Sequence, residues 1–411
     1  MKIKELRLKG YQVIREAIFE DLGNLVVIAG PNGVGKTKVK EAIAHIFQNS
    51  GNPPENCSVI LEATTPEEET QWKGSTVALP NQSFWSRFSS SNKRVRIQGK
   101  FIHIDSGRQM DSVQFRALNM NSIGDPSNED IEPGFAAKRV KERFPEICTT
   151  ICRLKLKQIL DLGKCMEEAR RARQETVKVE SGNDPTERFE ELFAQLLYPK
   201  KMVSIDATSS TIQYLDEENS RRSFDELSSG EKEVLVLAFD ILLQNPSDCV
   251  IVIDEPELHL HPELTFRLVK VLKAIGERNQ FFLFTHSTDI IGNSFDTGVH
   301  FLRPKNRVAG NQVIKVDSSN VGDLKLIPNL REAIGMLSLG KKLLFVEGVP
   351  TGIDRSVFSA LAKSEKVDLA IISSESAQNV TNLSLIAEAL SRGLFGLELF
   401  MVRDRDSVTD G

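Results

Sequence analysis

The octapeptide GPNGVGKT, residues 30–37, follows the apolar run LVVIAG and precedes a helical pattern that begins near Thr37. It fits G-x4-G-K-[ST] in the strand-to-helix setting that gives this motif its meaning. Glycines at Gly30, Gly33 and Gly35 let backbone N–H groups close around phosphate oxygens where a Cβ would intrude. The N-terminus of the helix that follows adds a favourable dipole. Lys36 is placed to reach β and γ phosphates, and Thr37 offers a hydroxyl to Mg²⁺. Pro31, Asn32 and Val34 complete the loop.

A second buried-type strand, CVIVID, ends in Asp254-Glu255. An acidic pair at a strand tip is by itself more often a solvated end. With the phosphate loop upstream, Asp254 is expected in the hydration shell of Mg²⁺ beside Thr37, and Glu255 to accept a proton from attacking water. A third strand, QFFLFTHS, carries His286 at its end. Before the second strand, LSSGE (Leu227 to Glu231) opens a helix. Ser228 with Glu231 three residues on is an ordinary capping box. Ser228, Ser229 and Gly230 also form the kind of helix start that an anion uses, and both roles can hold together.

Strand and helix patterns alternate from about residue 249, which implies a parallel sheet with crossover helices and an α/β fold. Residues 1–30 read as strands. Residues 50–92, rich in Pro, Ser, Asn and Glu, read as a loop-rich insertion with little core. From about 133 to 200 the spacing is helical and heavily charged, too broken for a long coiled coil, which suggests a compact helical lobe. KMVSIDA and STIQYLDEE read as a hairpin. A polar stretch near 317–340 suggests a boundary, giving domains at 1–335 and 341–411.

The net charge of −5 excludes a uniformly basic nucleic-acid binder, so any polyanion contact needs a local patch or a metal. Five cysteines, with Cys148 and Cys152 on one helical face and no completing zinc set, read as buried thiols in a reducing cytoplasm. No uninterrupted apolar stretch is long enough to cross a membrane, and the N-terminus has no signal h-region.

The last seventy residues repeat the α/β pattern. KKLLFVEG ends in Glu347, and FMVRDRD ends in Asp404 and Asp406, which period two places on one face of an extended segment. In a parallel β-α-β unit Glu347 would share their carboxyl edge, where open α/β sheets place their sites. Three such carboxylates suit a hard cation such as Mg²⁺, able to bind a scissile phosphate and activate water. Unrelated acidic strand ends are the alternative.

The order GPNGVGKT, LSSGE, IDEP, FTHS resembles the ABC-type ATPases, whose signature is L-S-G-G-Q. Ser229 stands where glycine is usual and Glu231 where glutamine is usual, as in chromosome-maintenance and defence branches. His286 matches the switch histidine. DEPELHLHP, with His259 and His261, resembles the OLD (overcoming-lysogenization-defect) branch and favours a subunit contact over a metal site. Gln82, Gln98 and Gln109 compete for the Q-loop position.

Glu347 followed by D-x-D resembles a Toprim domain, and the longer spacing to Asp354 is similar to nucleases of the anti-phage PARIS systems. The resemblance implies an ABC-type head with a helical lobe, followed by an incomplete Toprim domain, since the sequence ends at DSVTDG. It further implies ATP and Mg²⁺ as cofactors, a homo-oligomer closing head to head with Ser228 and Gly230 acting in trans, and a nucleic-acid substrate. A phage-encoded trigger protein is a further implied partner. A sensor or scaffold ATPase acting on a separate nuclease effector is the alternative.

Overall fold

A computed structural model describes residues 1–30, 32–47, 56–80, 101–104, 140–171, 186–206, 211–244, 246–275, 279–294, 297–305, 310–316, 342–347, 352–365, 367, 369–373 and 399–402. The chain begins with strands β1 (Lys2–Tyr11), β2 (Ile14–Phe19) and β3 (Leu25–Ala29), helix α1 (Lys36–Phe47), β4 (Cys57–Glu62), α2 (Pro66–Trp72) and β5 (Thr76–Pro80). It continues with β6 (Phe101–Ile104), α3 (Val140–Arg171), α4 (Glu187–Leu197), β7 (Lys201–Asp206), β8 (Thr211–Leu215), β9 (Arg221–Ser223) and α5 (Ser229–Gln244). Then come β10 (Val250–Asp254), α6 (Pro262–Ala274), β11 (Gln280–Thr285), α7 (Thr288–Gly292), β12 (Val299–Leu302) and β13 (Val313–Val316). The last elements are β14 (Lys342–Val346), α8 (Ile353–Ser364), β15 (Leu369–Ser373) and β16 (Leu399–Val402). The chain divides into two units: Met1–Ile102 with Asp248–Pro256 and Arg278–Gly411, and His103–Ser247 with Glu257–Glu277.

The first unit contains a sheet of order β13-β12-β3-β11-β10-β6. Its strands β12, β3, β11 and β10 run parallel, and β13 is antiparallel to β12. LVVIA of β3 and QFFLFT of β11 are buried at every position. A parallel strand covered on both faces has no solvent side, which is why these sequences read as unbroken apolar runs. A separate antiparallel sheet has the order β2-β1-β4-β5. A single core joins Ile3, Leu6 and Leu8 of β1, Ile43 and Ile46 of α1, and Val26, Ile28, Phe282 and Phe284 of the parallel sheet. Each such side chain, fully buried, contributes about 1.5–3 kcal/mol.

The buried amide of Gln280 pins the two sheets together. Its Oε1 accepts from the Ile3 N–H at 2.7 Å, and its Nε2 donates to the carbonyls of Ile3 (2.8 Å) and Gly23 (3.0 Å). The expectation of little core between residues 50 and 92 is corrected here. Cys57, Val59, Leu61 and Leu79 are buried in β4 and β5, and Pro66 to Trp72 form a helix capped by Thr65. The alternation in CSVILE is real but short, and the surrounding turn residues mask it in the sequence.

The second unit is mainly helical. Among its described residues the charged block contains α3, of 32 residues and about 48 Å long, and α4. Cys148 and Ile151 of α3 are buried, whereas Ile159, Leu160 and Met166 are exposed. Helix α5 is buried along most of its length, with the Phe239 ring edge-on to Phe189 of α4 at 5.2 Å. The hairpin read from KMVSIDA and STIQYLDEE is present as antiparallel β7 and β8. This unit therefore includes the helix that LSSGE opens.

Strands β15, β14 and β16 form a further sheet, parallel and in that order. Leu344, Val346 and Ile371 make its small core, with Phe358 and Leu369 packed against it. Among the described residues no helix is long and apolar enough to cross a membrane.

Candidate nucleotide site

The strand order places three carboxyl ends side by side. Ala29 of β3 lies opposite Thr285 of β11, and Asp254 of β10 lies opposite Phe284. The loop after Ala29, the Asp254-Glu255 pair and His286 therefore emerge at one edge of one sheet. This edge is where open α/β sheets place their ligands.

The loop fits a phosphate cradle. Gly33 has φ +76° and Gly35 has φ +112°, values that suit glycine. A Cβ on Gly35 would stand 2.9 Å from a methyl of Val13, and one on Gly30 would stand 2.7 Å from the Leu302 carbonyl oxygen. Asn32 and Gly33 are exposed, and Val34 is buried. Pro31 lies outside the described residues. Helix α1 starts at Lys36, whose Nζ donates to the Gly30 carbonyl at 2.6 Å and so folds over the loop. Thr37 is exposed in the first turn. The Thr37 hydroxyl and the Asp254 carboxylate are hard oxygen donors of the kind Mg²⁺ takes.

Glu255 adopts φ +43°, a left-handed conformation rare for a side chain of this size. Its N–H is held by the Phe284 carbonyl at 2.8 Å. Such strain costs on the order of 1–3 kcal/mol and is found where a side chain must be aimed. Here it leaves Glu255 Oε1 3.4 Å from His286 Nδ1. The Ser287 hydroxyl accepts from the N–H groups of Asp289 and Ile290, capping α7 and fixing the turn that carries His286.

Lys40 was not singled out in the sequence. Its Nζ lies 2.6 Å from Asp254 Oδ2. The only signal was its spacing, one helical turn beyond Lys36 on the same face of α1.

In the second unit the capping box at LSSGE is real. The Ser228 N–H and hydroxyl donate to Glu231 Oε2 at 3.0 and 2.9 Å, and the Glu231 N–H returns to Ser228 Oγ at 3.4 Å. Lys200 Nζ donates to Glu231 Oε1 at 2.6 Å. Burial pushes the Glu231 carboxyl pKa up, but the hydrogen bonds from Lys200 and Ser228 outweigh it and hold the group below the usual glutamate range. Ser228 and Ser229 are exposed. A Cβ on Gly230 would meet the His259 carbonyl oxygen at 2.8 Å, so α5 can approach that loop only through glycine. His259 has φ +63°, and His261 Nδ1 accepts from the Glu263 N–H as the N-cap of α6. A cleft of about 300 Å³ is lined by Tyr198, Lys200, Ser228, Glu231, His261 and Arg267.

Val346 of β14 stands opposite Val402 of β16, so Glu347 sits at the carboxyl edge toward which β16 also runs. Asp404 and Asp406 lie outside the described residues, as do Gln82, Gln98 and Gln109. Among the described residues no cluster of three or more His, Cys, Asp or Glu side chains is arranged to hold a metal.

Residues 1–191 match a family model described as "AAA ATPase domain". Residues 167–292 match one described as "AAA domain, putative AbiEii toxin, Type IV TA system". With the loop and its glycines, these partial matches make the chain similar to AAA ATPase domains, families that use ATP and typically Mg²⁺. No curated protein matches the chain. Among solved structures, the Smc head domain with an extended coiled coil bound to the C-terminal domain of ScpA, derived from Pyrococcus furiosus, is 14% identical with a TM-score of 0.44. That likeness covers 80% of this chain and 99% of the other. The SMC head domain from Thermotoga maritima is 16% identical with a TM-score of 0.41, covering 77% of this chain and 99% of the other.

Proposed function

We propose that this protein is an OLD-like defence ATPase, which hydrolyses ATP at an interface between two copies of its head and thereby controls a Mg²⁺-dependent Toprim nuclease acting on nucleic acid. The observation that carries the ATPase part is the meeting of Glu255 and His286 at the sheet edge where the Gly30 to Thr37 loop emerges. ATP supplies the phosphoryl group, and Mg²⁺ offsets its charge. Gly33, Gly35 and Lys36 bind and orient the phosphates, and Thr37 and Asp254 hold the metal's shell. Glu255, aimed by its left-handed backbone, takes the proton from water, and His286 steadies that carboxylate and the charge that develops beside it.

Ser228, Ser229 and Gly230 complete the pocket of a second copy. The exposure of Ser228 and Ser229 at a capped helix start supports this, because such a terminus favours an anion. The parallel register of β14 and β16 supports a metal site of Glu347 with Asp404 and Asp406, and the toxin description of one matched family is in keeping with defence.

ATP turnover, nucleotide binding and mass in solution test the proposal. Lys36→Ala should lose nucleotide binding. Glu255→Gln should bind ATP, lose turnover by about 10²–10⁴-fold and accumulate as an ATP-bound dimer. Retained turnover in Glu255→Gln removes Glu255 as the base. Nicking of plasmid or cleavage of transfer RNA with Mg²⁺ should fail in Glu347→Gln, and unchanged cleavage removes the Toprim part alone.

A further inference from the structure

Helix α1 presents two lysines, Lys36 and Lys40, one turn apart on one face. Lys36 serves the loop. Lys40 instead reaches Asp254 at 2.6 Å, with the two side chains only 11% and 17% exposed. An ammonium group so enclosed needs an opposite charge to offset its desolvation, and here that charge is the carboxylate at the tip of β10.

On the reading above, in which Asp254 serves Mg²⁺, we propose that Lys40 is a positioning residue: a tethered cation that orients and neutralises Asp254 and lowers the site's affinity for free divalent metal. Two cations directed at one carboxylate repel each other, and in a partly buried site that repulsion is weakly screened. Lys40 therefore disfavours metal binding until a triphosphate adds negative charge. It also removes the repulsion that a bare Asp254 carboxylate would exert on metal-free nucleotide. The pair couples metal entry to nucleotide entry with no moving part beyond one lysine side chain.

Manganese titration followed by electron paramagnetic resonance, on the full chain without nucleotide, reads this directly. Lys40→Met should bind Mn²⁺ on the order of tenfold more tightly than the wild type, as the loss of one nearby positive charge implies. The gain should vanish in the Lys40→Met/Asp254→Asn double variant, and Lys40→Arg should behave as the wild type. Binding of fluorescently labelled ATP should depend more steeply on Mg²⁺ in Lys40→Met. If that variant fails to fold, Lys40→Gln carries the same expectation while keeping a hydrogen-bond donor. A folded, uncharged variant with unchanged or weaker Mn²⁺ affinity overturns the inference. Failure of the wild type to bind labelled ATP with Mg²⁺ overturns the ATPase reading instead.

Discussion

Glu255 Oε1 and His286 Nδ1 lie 3.4 Å apart, on residues that follow neighbouring parallel strands β10 and β11. Glu255 carries a φ of +43°, and His286 sits on the Ser287-capped turn after Thr285. The contact couples a carboxylate to an imidazole at the edge where the phosphate loop begins. His286 is 47% exposed, so its removal should test chemistry more than stability. His286→Ala should lower kcat by about 10–10²-fold with KM little changed, the pattern of an interaction made mainly in the transition state. Steady-state kinetics beside a thermal melt separates this from unfolding.

Gly230 gives a steric prediction. A methyl group there would press on the His259 carbonyl, a backbone atom that cannot turn aside. Gly230→Ala should destabilise the second unit by about 1–3 kcal/mol and abolish ATP-dependent dimerisation. Nucleotide binding by the loop at Gly30 to Thr37 should survive. Calorimetry and light scattering check the two effects separately.

The cap at Glu231 predicts an acid limit. Its carboxyl ionises more readily in the folded protein than in the unfolded chain, because hydrogen bonds from Lys200 and Ser228 overcome its burial. The stabilisation is therefore complete above the ordinary glutamate range and is lost as pH falls through the lowered folded value. Melting temperature measured from about pH 6 down to about pH 3 should fall less steeply in Glu231→Gln than in the wild type. Equal slopes would detach Glu231 from the acid response.

Gln280 predicts a packing effect far from any ligand. Gln280→Leu keeps the volume roughly but leaves the Ile3 N–H and the carbonyls of Ile3 and Gly23 without their amide partner. The cost should be about 2–4 kcal/mol, read by denaturant titration, with ATP turnover unchanged at temperatures where the variant is folded.

The parallel strands, the loop at Gly30 to Thr37, the Asp254-Glu255 tip and the helix start at Ser228 were all legible in the sequence. Each depends on contacts between residues close along the chain: an apolar run with two covered faces, glycines at a tight turn, a side chain capping its own helix. The β4–β5 pair was hidden because its short alternation is masked by the turn residues around it, and the buried amide of Gln280 because its partners lie far away in sequence.

Local chemistry thus fixed which groups stand at the ends of β3, β10 and β11, since period and turn residues are written within a few positions of one another. Which of those groups touch was decided by the tertiary structure. The parallel register sets His286 against Glu255, and the packing of α1 against the shared core brings Lys40 to Asp254. Pairings of that kind depend on how strands and helix stack through a shared core, a property of the assembled chain that no single segment carries.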